Sequence, residues 1–470
     1  MQLNKTTIIK EFRNFLDSIS LITDNYLNVA SFSFKIPEIK IVTLLSSNII
    51  KNEDNFYWKI QDEDLEFLAF SPILNINENG DTRLESTSAR INDIESNFVS
   101  NWKNCGLQNI PLIVGGIKFA PAQKSERWDD FSDSDWFVPK ILILKKGDEV
   151  YIVYNFIVDI NLNINIKNFE NILNLVDLLS STSNELESKK ELLPYRYSNS
   201  FDQWQLIINK GLKKISEGML SKVVLSREVC LDLSNENSIS TLINELSEKY
   251  PRCYIFVFQR AGSLFIGASP EKLAKVSDGW IEVDALAGSA PRGKSDIEDV
   301  EMEYFLLNSE KNLFEQRAVV NFIHNLLNKI SDEIIFDDKP MIRKLPNIQH
   351  LWTIMKAKLN SEINVIDLLP KLHPTPAICG DPWKIAKDFI LENEVHDRGL
   401  YSGNIGWFNF EGSGEFAVAI RSGLIKSNKL FAYAGCGIVE GSEPIAEYEE
   451  SEIKLKPILS LFVDEKVYQP

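Results

Sequence analysis

The chain lacks any run of about eighteen uncharged apolar residues, the length that a membrane-spanning helix requires. Its opening residues, MQLNKTTIIKEFRNFLDS, also lack the continuous apolar stretch of a secretory signal, and they are not Arg/Ser-rich like a transit peptide. The sequence therefore predicts a cytoplasmic protein with no membrane partner.

Cysteine is scarce and irregularly placed. The 470 residues include five cysteines, an odd number, and no two of them have CxxC spacing. This pattern predicts reduced thiols and argues against a zinc site or a disulfide framework. The five are Cys105, Cys230, Cys253, Cys379 and Cys436.

Positive charge is also in deficit, because 50 Lys and Arg face 67 Asp and Glu, giving a formal net charge of −17. A nucleic-acid or anionic-membrane surface needs clustered Lys and Arg, so we expect neither as a partner. A small anionic substrate remains compatible with the chain if positive charge is concentrated at its binding site.

The composition, 44% hydrophobic and 25% charged, is that of a globular protein with a large core. The length allows two or three domains. We divide the chain into an N-terminal half over 1–200 and a second region over 201–465. Within the first half, 1–110 gives weak, mixed signals and 113–180 is predicted to contribute strands. Residues 180–200, rich in Ser, Glu and Lys, are the best candidate for a linker.

Hairpin signals decide the predicted fold class. Beyond residue 200, strands alternate with helices, one of which is predicted to run unbroken over Asp296–Ile330. Tyr254–Phe258 and Leu264–Ala268 flank a short turn, and Glu415–Arg421 is predicted to pair with Leu430–Ala434 in the same way. Because hairpins join antiparallel neighbours, the pattern favours an α+β fold of antiparallel sheets over a doubly wound parallel one.

Negative charge is concentrated near the C-terminus, where GIVEGSEPIAEYEESEIK holds six glutamates in eighteen residues. If Pro444 begins a helix, Glu447, Glu450 and Lys454 share one face of it. Two carboxylates and an ammonium on one face suggest a binding site. The alternative is that Glu450 and Lys454 form an ordinary i,i+4 surface ion pair.

The stretch Glu415–Arg421 alternates strictly, with Ala417, Ala419 and Arg421 on the face opposite the large apolar residues. An arginine beside small residues indicates an anion site, because its planar guanidinium matches a carboxylate. Close packing of the alanines against a helix is the alternative.

Three further charged residues are candidates, each with an ordinary structural explanation. Lys222 begins an apolar strand and could serve as a general base, or it could lie in solvent at the strand end. Glu271 follows a Ser-Pro turn and could act as an acid or stabilise a helix N-terminus. Glu315 has Lys311 four residues earlier, which allows a surface salt bridge.

Together these segments resemble the chorismate-utilising enzymes. Ten motifs carry the resemblance in order and spacing from about residue 205 to 460, with a weaker echo back to about 113. They are KVVLSRE, GASPEKL, LAGSAPRG, SEKNLFE, HLW, LHPTPAICGDP, DRGLYSGNIGW, GEFAVAIRSG, YAGCGIVEGSEP and EYEESEIK. The resemblance implies an α+β fold of two packed antiparallel sheets flanked by helices, with 201–465 as the chorismate-binding catalytic region.

The resemblance also implies roles for individual residues. Lys222 stands where these enzymes place the base that activates water, and Glu271 where they place the acid that protonates the departing C4 hydroxyl. Glu315 and Glu450 match positions that hold Mg²⁺, with Glu447 as a further carboxylate. The substrate contacts that it implies are Gly288, Ser289, His350, Ala377, Tyr401, Arg421, Gly435 and Lys454.

Within this family the chain is most similar to the water-using isochorismate synthases. Ammonia-using relatives carry Gln at the position of Lys222 and work with a glutaminase, and no glutaminase motif or subunit is expected here. Ala287 departs from the Lys of the aminodeoxychorismate branch. Ala377 stands where salicylate and anthranilate synthases favour Thr. The resemblance thus implies isochorismate as the product, for menaquinone or phylloquinone.

Three alternatives stay open at this point. The chain could be a salicylate synthase, which eliminates pyruvate after forming isochorismate. It could supply isochorismate to a siderophore. It could also be an inactive paralogue serving as a binding or scaffold subunit, although a scaffold has no need of the full set of catalytic residues.

Overall fold

A computed structural model of the chain describes residues 4–19, 29–95, 98–121, 126–180, 195–197, 200–233, 238–360 and 365–463. Most of the linker predicted over 180–200 lies outside these residues. In the described residues there are ten α-helices. They are α1 Lys5–Ser18, α2 Arg83–Glu95, α3 Leu162–Ser180, α4 Phe201–Ser216, α5 Ile239–Lys249, α6 Asp296–Asn308, α7 Glu310–Leu327, α8 Val365–Leu372, α9 Trp383–Asn393 and α10 Pro444–Leu459.

The same residues form twenty-one strands. They are β1 Val29–Ile36, β2 Asn55–Ile60, β3 Leu65–Glu78, β4 Val99–Ser100, β5 Ile113–Ile117, β6 Ser134–Lys146, β7 Glu149–Ile157, β8 Tyr195–Tyr197, β9 Lys222–Asp232, β10 Tyr254–Arg260, β11 Ser263–Ser269, β12 Lys272–Ser277, β13 Trp280–Pro291, β14 Ser331–Ile335, β15 Met341–Lys344, β16 Ile348–Leu359, β17 Gly380–Asp381, β18 Asn404–Phe408, β19 Gly414–Val418, β20 Ser422–Lys426 and β21 Lys429–Ile438.

The long strand β6 is the branch point of the sheet. It pairs with β3 along its whole length, with β5 through its first half and with β7 through its second half. One wing continues from β3 through β2, β10, β11, β20 and β21 to β9. The other wing runs from β5 through β18, β19, β12 and β13 to β16.

Alternating side chains of the first wing separate two hydrophobic cores. On β2, Phe56 and Trp58 belong to a core that also takes side chains from β13, β16, β18 and β19 of the other wing. Tyr57, on the opposite face, packs with residues of α1, α3, α5 and α10. The period of two in a strand produces this division, since neighbouring side chains point to opposite faces. The first core therefore lies between the wings, and helices cover the outer face.

The predicted α+β class is confirmed, because all described strand pairings except β1 with β4 are antiparallel. The two packed sheets are joined by hydrogen bonds through β6. Strands from both sides of residue 200 pair with each other, as β2 does with β10 and β5 with β18. The domain division at residue 200 stays a prediction. None of the helices in the described segments is long and apolar enough to span a bilayer.

The helix predicted over Asp296–Ile330 is in fact two helices that meet at Ser309. The Ser309 backbone is extended, and its side chain accepts a hydrogen bond from the backbone N–H of Asn312. Serine competes for backbone hydrogen bonds in this way, which is why it favours helix N-caps over helix interiors. The break begins α7 at Glu310 and places Glu315 in its second turn.

Candidate functional site

A pocket with about 650 Å³ of space unfilled by atoms opens between the end of β21, the bulged end of β13 and the segment that leads into β20. Ten of the thirteen predicted site residues line it. They are Glu271, Gly288, Ser289, Glu315, His350, Ala377, Tyr401, Arg421, Gly435 and Lys454. Of the three others, Lys222 pairs with Glu315 and Glu450 with Lys454, both of which line the pocket, and Glu447 pairs with Lys311.

Lys222 is buried at the start of β9, with only 1% of the residue exposed. Its ammonium Nζ lies 2.8 Å from Oε1 of Glu315, which lines the pocket. The alternative that Lys222 is a solvent-exposed strand end is therefore wrong. Burial of an ammonium is unfavourable without a partner, and the carboxylate of Glu315 supplies one.

Glu315 does not form the local salt bridge that its sequence neighbour allowed. The ammonium of Lys311 instead lies 2.7 Å from Glu447 of α10, while Glu315 pairs with Lys222 of β9. Each ion pair joins α7 to a distant part of the chain. The pairs therefore fix the position of α7 at the pocket.

Gly437 was not identified from the sequence and is the residue that makes room for this ion pair. A Cβ atom at position 437 would lie 2.3 Å from Glu315 Oε1 and 2.8 Å from Lys222 Cε. No side chain fits without moving the pair. The alternation in YAGCGIVEG, with small residues at every second position of a predicted strand, is the signal that could have found it.

Glu271 is buried between β11 and β12, with 4% of the residue exposed. Burial, helped by the nearby carboxylate of Asp284, raises the pKa of Glu271 to about 8 against the opposing charges of Lys222 and Arg421. The carboxyl group is accordingly protonated at neutral pH. This agrees with the expectation that an acid at this position is kept uncharged. Asp284 was not identified from the sequence. Its carboxylate Oδ2 forms an ion pair with Nη1 of Arg343 at 3.1 Å.

Arg421 lines the pocket, but its backbone differs from the prediction. β19 ends at Val418, and Arg421 has φ +51°, a left-handed conformation that precedes β20. The hairpin to β21 is formed by β20 across Ser427 and Asn428, and not by the strand predicted over Glu415–Arg421. Left-handed backbone is unfavourable for a residue with a Cβ, so the surrounding contacts hold it in place.

His350 is one of those contacts. Its ring Nε2 lies 3.3 Å from Nη2 of Arg421, and its Nδ1 lies 3.1 Å from the carbonyl oxygen of Gly288. Since a guanidinium can only donate, Nε2 must be the unprotonated nitrogen and Nδ1–H donates to Gly288. Burial, together with the charges of Arg421 and Lys454, lowers the pKa of His350 well below its usual value. The neutral ring thus orients Arg421.

Gly288 and Ser289 form a bulge near the end of β13. Gly288 has φ +74°, and the register with β16 shifts between Ala287 and Ser289. The backbone N–H of Ser289 donates to Oδ1 of Asn312 on α7, at 3.2 Å. The bulge therefore turns β13 toward α7 and exposes its backbone to the pocket.

Glu450 and Lys454 form the predicted i,i+4 pair at 2.6 Å, but the pair is half-buried at the pocket and not a freely exposed surface pair. The ammonium of Lys454 lines the pocket and also donates to the carbonyl oxygen of Gly435, at 3.1 Å. Burial alone would raise the pKa of Glu450 and lower that of Lys454. Their mutual attraction outweighs burial, so the pKa of Glu450 is lowered and that of Lys454 is raised.

Three potential metal ligands, one of which is Glu450 of this ion pair, lie close together. Ligand atoms of Cys436, Glu447 and Glu450 all lie within 4.8 Å of one another. Burial raises the pKa of Glu447, and the charge of Glu450 raises it further, against the ammonium of Lys311. Two carboxylates that repel each other suit a divalent cation. Glu315, the third predicted metal ligand, is not in this tight group and is held by Lys222.

The remaining predicted contacts form the far wall. The ring of Tyr401 stacks on that of Tyr433, with 5.2 Å between ring centroids, and a Cβ at Gly435 would lie 3.0 Å from the Tyr401 hydroxyl. Ala377 lies in the loop before β17. Other lining residues were missed because they carry no distinctive chemistry. They include Val224, Pro270, Leu286, Ile378, Ile420, Tyr433 and Ala434.

Comparison with known proteins agrees with this geometry. A family model described as chorismate binding enzyme matches residues 15–463. The chain belongs to the chorismate-binding enzyme family. The predicted resemblance is thereby confirmed, and the family match extends it to most of the first 110 residues, which the motifs could not anchor.

Individual members of the chorismate-binding enzymes are similar over nearly the whole chain. Isochorismate synthase MenF of Bacillus subtilis is 32% identical over 452 residues, covering 94% of this chain and 95% of that protein. A salicylate biosynthesis isochorismate synthase of Pseudomonas aeruginosa is 29% identical, covering 85% and 83%. The structure of MenF from Escherichia coli superposes with a TM-score of 0.78 at 22% identity, covering 98% of this chain and 100% of that one, and so shares its fold.

Proposed function

We propose that this chorismate-binding enzyme is an isochorismate synthase, which adds water at C2 of chorismate with loss of the C4 hydroxyl and migration of the ring double bonds. The observation that carries the proposal is the pairing, at one pocket, of a buried protonated acid with buried cations. Glu271 supplies the acid, and Arg421 and Lys454 supply the cations. The similarity to MenF of Bacillus subtilis supports it.

Glu271 donates the proton in this scheme. Hydroxide is a poor leaving group, so the C4 oxygen must receive a proton as its bond to carbon breaks. A carboxyl group with a pKa near 8 is still protonated at neutral pH and is acidic enough to give the proton up. The product leaves Glu271 as a carboxylate, which regains a proton from solvent.

Lys222 takes the other role, removing a proton from the water that attacks C2. To do so, the ammonium that pairs with Glu315 must first release a proton, so that the nitrogen presents an unshared electron pair. Its Nζ contacts Glu315 and its Cε approaches Gly437, both of which line the pocket. The base therefore comes from β9 and the acid from the turn after β11. Two separate groups are needed, because water attacks at C2 while the hydroxyl departs from C4.

Chorismate is a dianion, and a chain of net charge −17 repels it unless positive charge is concentrated locally. Arg421, oriented by the neutral ring of His350, offers a planar donor pair that suits a carboxylate. Lys454 adds an ammonium on the same side of the pocket. These two residues are proposed to bind the two substrate carboxylates.

Mg²⁺ is the proposed cofactor, and the residues present fit it. Glu447 and Glu450 offer hard oxygen ligands within 4.8 Å of each other, and Glu315 offers a third at the pocket wall. A bound Mg²⁺ would supply positive charge for a substrate carboxylate. Lys222, Lys311 and Lys454 balance the charges of these three glutamates in the structure described here.

Product analysis tests the proposal directly. The purified protein, incubated with chorismate and Mg²⁺, is expected to yield an isomer of unchanged mass identified by NMR as isochorismate, without pyruvate. Pyruvate release would indicate a salicylate synthase instead. Absence of any product would favour an inactive scaffold subunit and would reject the proposal.

We propose menaquinone biosynthesis as the pathway, because a relative that matches 94% of the chain is named MenF. A relative named for salicylate biosynthesis provides the competing assignment. Deletion of the gene in its own host would distinguish them, since loss of menaquinone supports the first and loss of salicylate with menaquinone retained supports the second. A cytoplasmic location stays a prediction of the sequence.

A further inference from the structure

A second pocket lies behind the wall of the active site and is not used by the proposed reaction. It holds about 860 Å³ of space unfilled by atoms, including its mouth, between α2, the end of β5, α7 and α9. We call it the α2–α9 pocket. The lining residues that matter here are Arg83, Phe119, Phe322, Trp383, Lys387 and Asn404.

Asn404, at the start of β18, has no exposed surface, yet neither its Oδ1 nor its Nδ2 has a hydrogen-bond partner among the described residues. Leaving a buried amide unpaired is unfavourable, and most buried polar side chains in folded proteins have a hydrogen-bond partner. Asn404 lines the pocket, and a donor and an acceptor that both lack partners suit a hydroxyl or carbonyl group of a ligand.

Positive charge is in excess at the same place. Arg83, Lys371 and Lys387 line the pocket together with one acid, Asp81, while Glu85 and Asp133, which pairs with Lys118, also lie near Arg83. Arg83 is 93% buried, and in the described part of the chain its Nε has no hydrogen-bond partner. A water molecule could satisfy Asn404 but would not balance this charge. In a chain of net charge −17, such a local excess favours an anion.

The apolar walls define the rest of the ligand. Phe119, Phe322 and Trp383 line the pocket. Trp383 has 42% of its surface exposed. Aromatic walls favour a flat ring. The charge, the unpaired amide and the rings together describe a hydroxylated aromatic carboxylate.

The two pockets share a wall, so occupancy of one can affect the other. His373 lines the α2–α9 pocket, and its Nε2 lies 2.7 Å from the carbonyl oxygen of Ser402, which lines the active site. Ala377, a few residues after His373, also lines the active site. A ligand that shifts His373 therefore shifts Ser402 or the loop carrying Ala377.

We propose that the α2–α9 pocket is an effector site for a hydroxylated aromatic carboxylate, and that its occupancy changes turnover in the active site through His373. The carboxylate is placed at Arg83 and Lys387, the hydroxyl at Asn404 and the ring between the aromatic walls. The binding part of this inference is independent of the proposed reaction, while the change in turnover rests on it.

The test uses 4-hydroxybenzoate as the probe, with binding to the full chain measured by calorimetry. We expect binding to weaken at least about tenfold in Lys387→Gln and in Asn404→Leu, and to be unchanged in Lys358→Gln, which removes the same charge from an exposed position outside the pocket. The uncharged 4-hydroxybenzamide is expected to bind at least about tenfold more weakly than the acid.

An active-site variant separates the two pockets. Arg421→Gln is expected to leave 4-hydroxybenzoate binding unchanged. Binding that is lost in Arg421→Gln but retained in Lys387→Gln and Asn404→Leu would place the probe in the active site and overturn the proposal. No measurable binding at concentrations of about 10 mM would overturn it as well.

Turnover provides the second readout. In the wild type, 4-hydroxybenzoate is expected to change kcat at saturating chorismate, and the effect should vanish in Lys387→Gln. If the protein proves inactive on chorismate, the proposed reaction fails while the binding results still decide the site. Purely competitive inhibition that Lys387→Gln retains would contradict the effector role.

Discussion

The ammonium of Lys222 lies 2.8 Å from the carboxylate of Glu315, with 1% and 14% of these side chains exposed. The first residue of β9 is thereby joined to the second turn of α7, beside Gly437. The proposed base and a proposed metal ligand are thus one ion pair, largely removed from water. Changes to either residue should therefore affect both chemistry and packing.

Replacing the proposed base should abolish turnover while leaving the affinity for the substrate nearly unchanged. We expect Lys222→Ala to lower kcat by about 10²–10⁴-fold, the usual contribution of a general base. The Kd for chorismate should change less than about tenfold, because Arg421 and Lys454 are retained. Steady-state kinetics measures kcat, and calorimetry measures the Kd for chorismate. Near-normal turnover would overturn the role of Lys222, and Lys358→Ala provides an exposed lysine as control.

Activity should fall at alkaline pH because Glu271 must be protonated. Burial raises the pKa of Glu271 to about 8, so the protonated fraction is nearly complete at pH 6.5 and is lost as pH rises through about 8. The measurement is kcat/KM against pH for the wild type, with Glu271→Gln expected to be inactive at every pH. A flat profile between pH 7 and 9 would contradict this assignment.

The same carboxyl group should make stability depend on pH. Its folded-state pKa lies above the ordinary value, so its favourable contribution is complete at acidic pH and is lost as pH rises through about 8. Glu271→Gln should therefore raise the free energy of unfolding at pH 8.5 by about 2–4 kcal/mol relative to wild type. Chemical denaturation of the wild type and of Glu271→Gln at pH 5 and pH 8.5 measures this difference in the free energy of unfolding. Glu449→Gln, at an exposed position, should show no such difference.

A single methyl group at position 437 should disable the site. The Cβ of Gly437→Ala would lie 2.3 Å from Glu315 Oε1, so the Lys222–Glu315 pair must move. We expect kcat to fall at least about 10²-fold, the scale of effect that a displacement of about 1 Å produces. Gly211→Ala, whose Cβ would meet a Val223 methyl carbon at 3.2 Å, is the matched control. Equal activity of the two variants would contradict the prediction.

Removing one proposed metal ligand should weaken Mg²⁺ binding. Glu450→Gln takes a carboxylate from the group formed with Glu447 and Cys436, and we expect the Mg²⁺ concentration for half-maximal activity to rise at least about tenfold. Glu449→Gln, on the same helix but exposed, should leave it unchanged. Wild-type activity should vanish with EDTA and return with added Mg²⁺. Full activity in EDTA would reject the proposed cofactor.

Local pattern was enough to predict several parts of this site. The helical period placed Glu450 and Lys454 together, and the structure gives their distance as 2.6 Å. The motifs identified Lys222, Glu271 and Arg421, and hairpin signals gave the antiparallel class. Such features depend on residues a few positions apart, or on residue types in a fixed order. Both can be observed directly in the amino-acid sequence.

Other parts depend on contacts between distant segments. Lys311 pairs with Glu447 and Glu315 with Lys222, although sequence spacing favoured Lys311 with Glu315. The left-handed backbone of Arg421 ended the predicted strand early, since its contact with His350 outweighs the alternating pattern. The strands of the first 110 residues, which gave weak signals, pair in the same sheet as the catalytic strands.

By itself the sequence identified the candidate reacting groups, the antiparallel class and the excess of negative charge that the proposed dianionic substrate must overcome. Only the tertiary structure decided which carboxylate neutralises which lysine, how Asp284 helps burial to keep Glu271 protonated, and where the α2–α9 pocket adjoins the first. The physical reason is that ion pairing and desolvation act through space. Sheet register and helix docking, and not spacing along the chain, set the distances on which they depend.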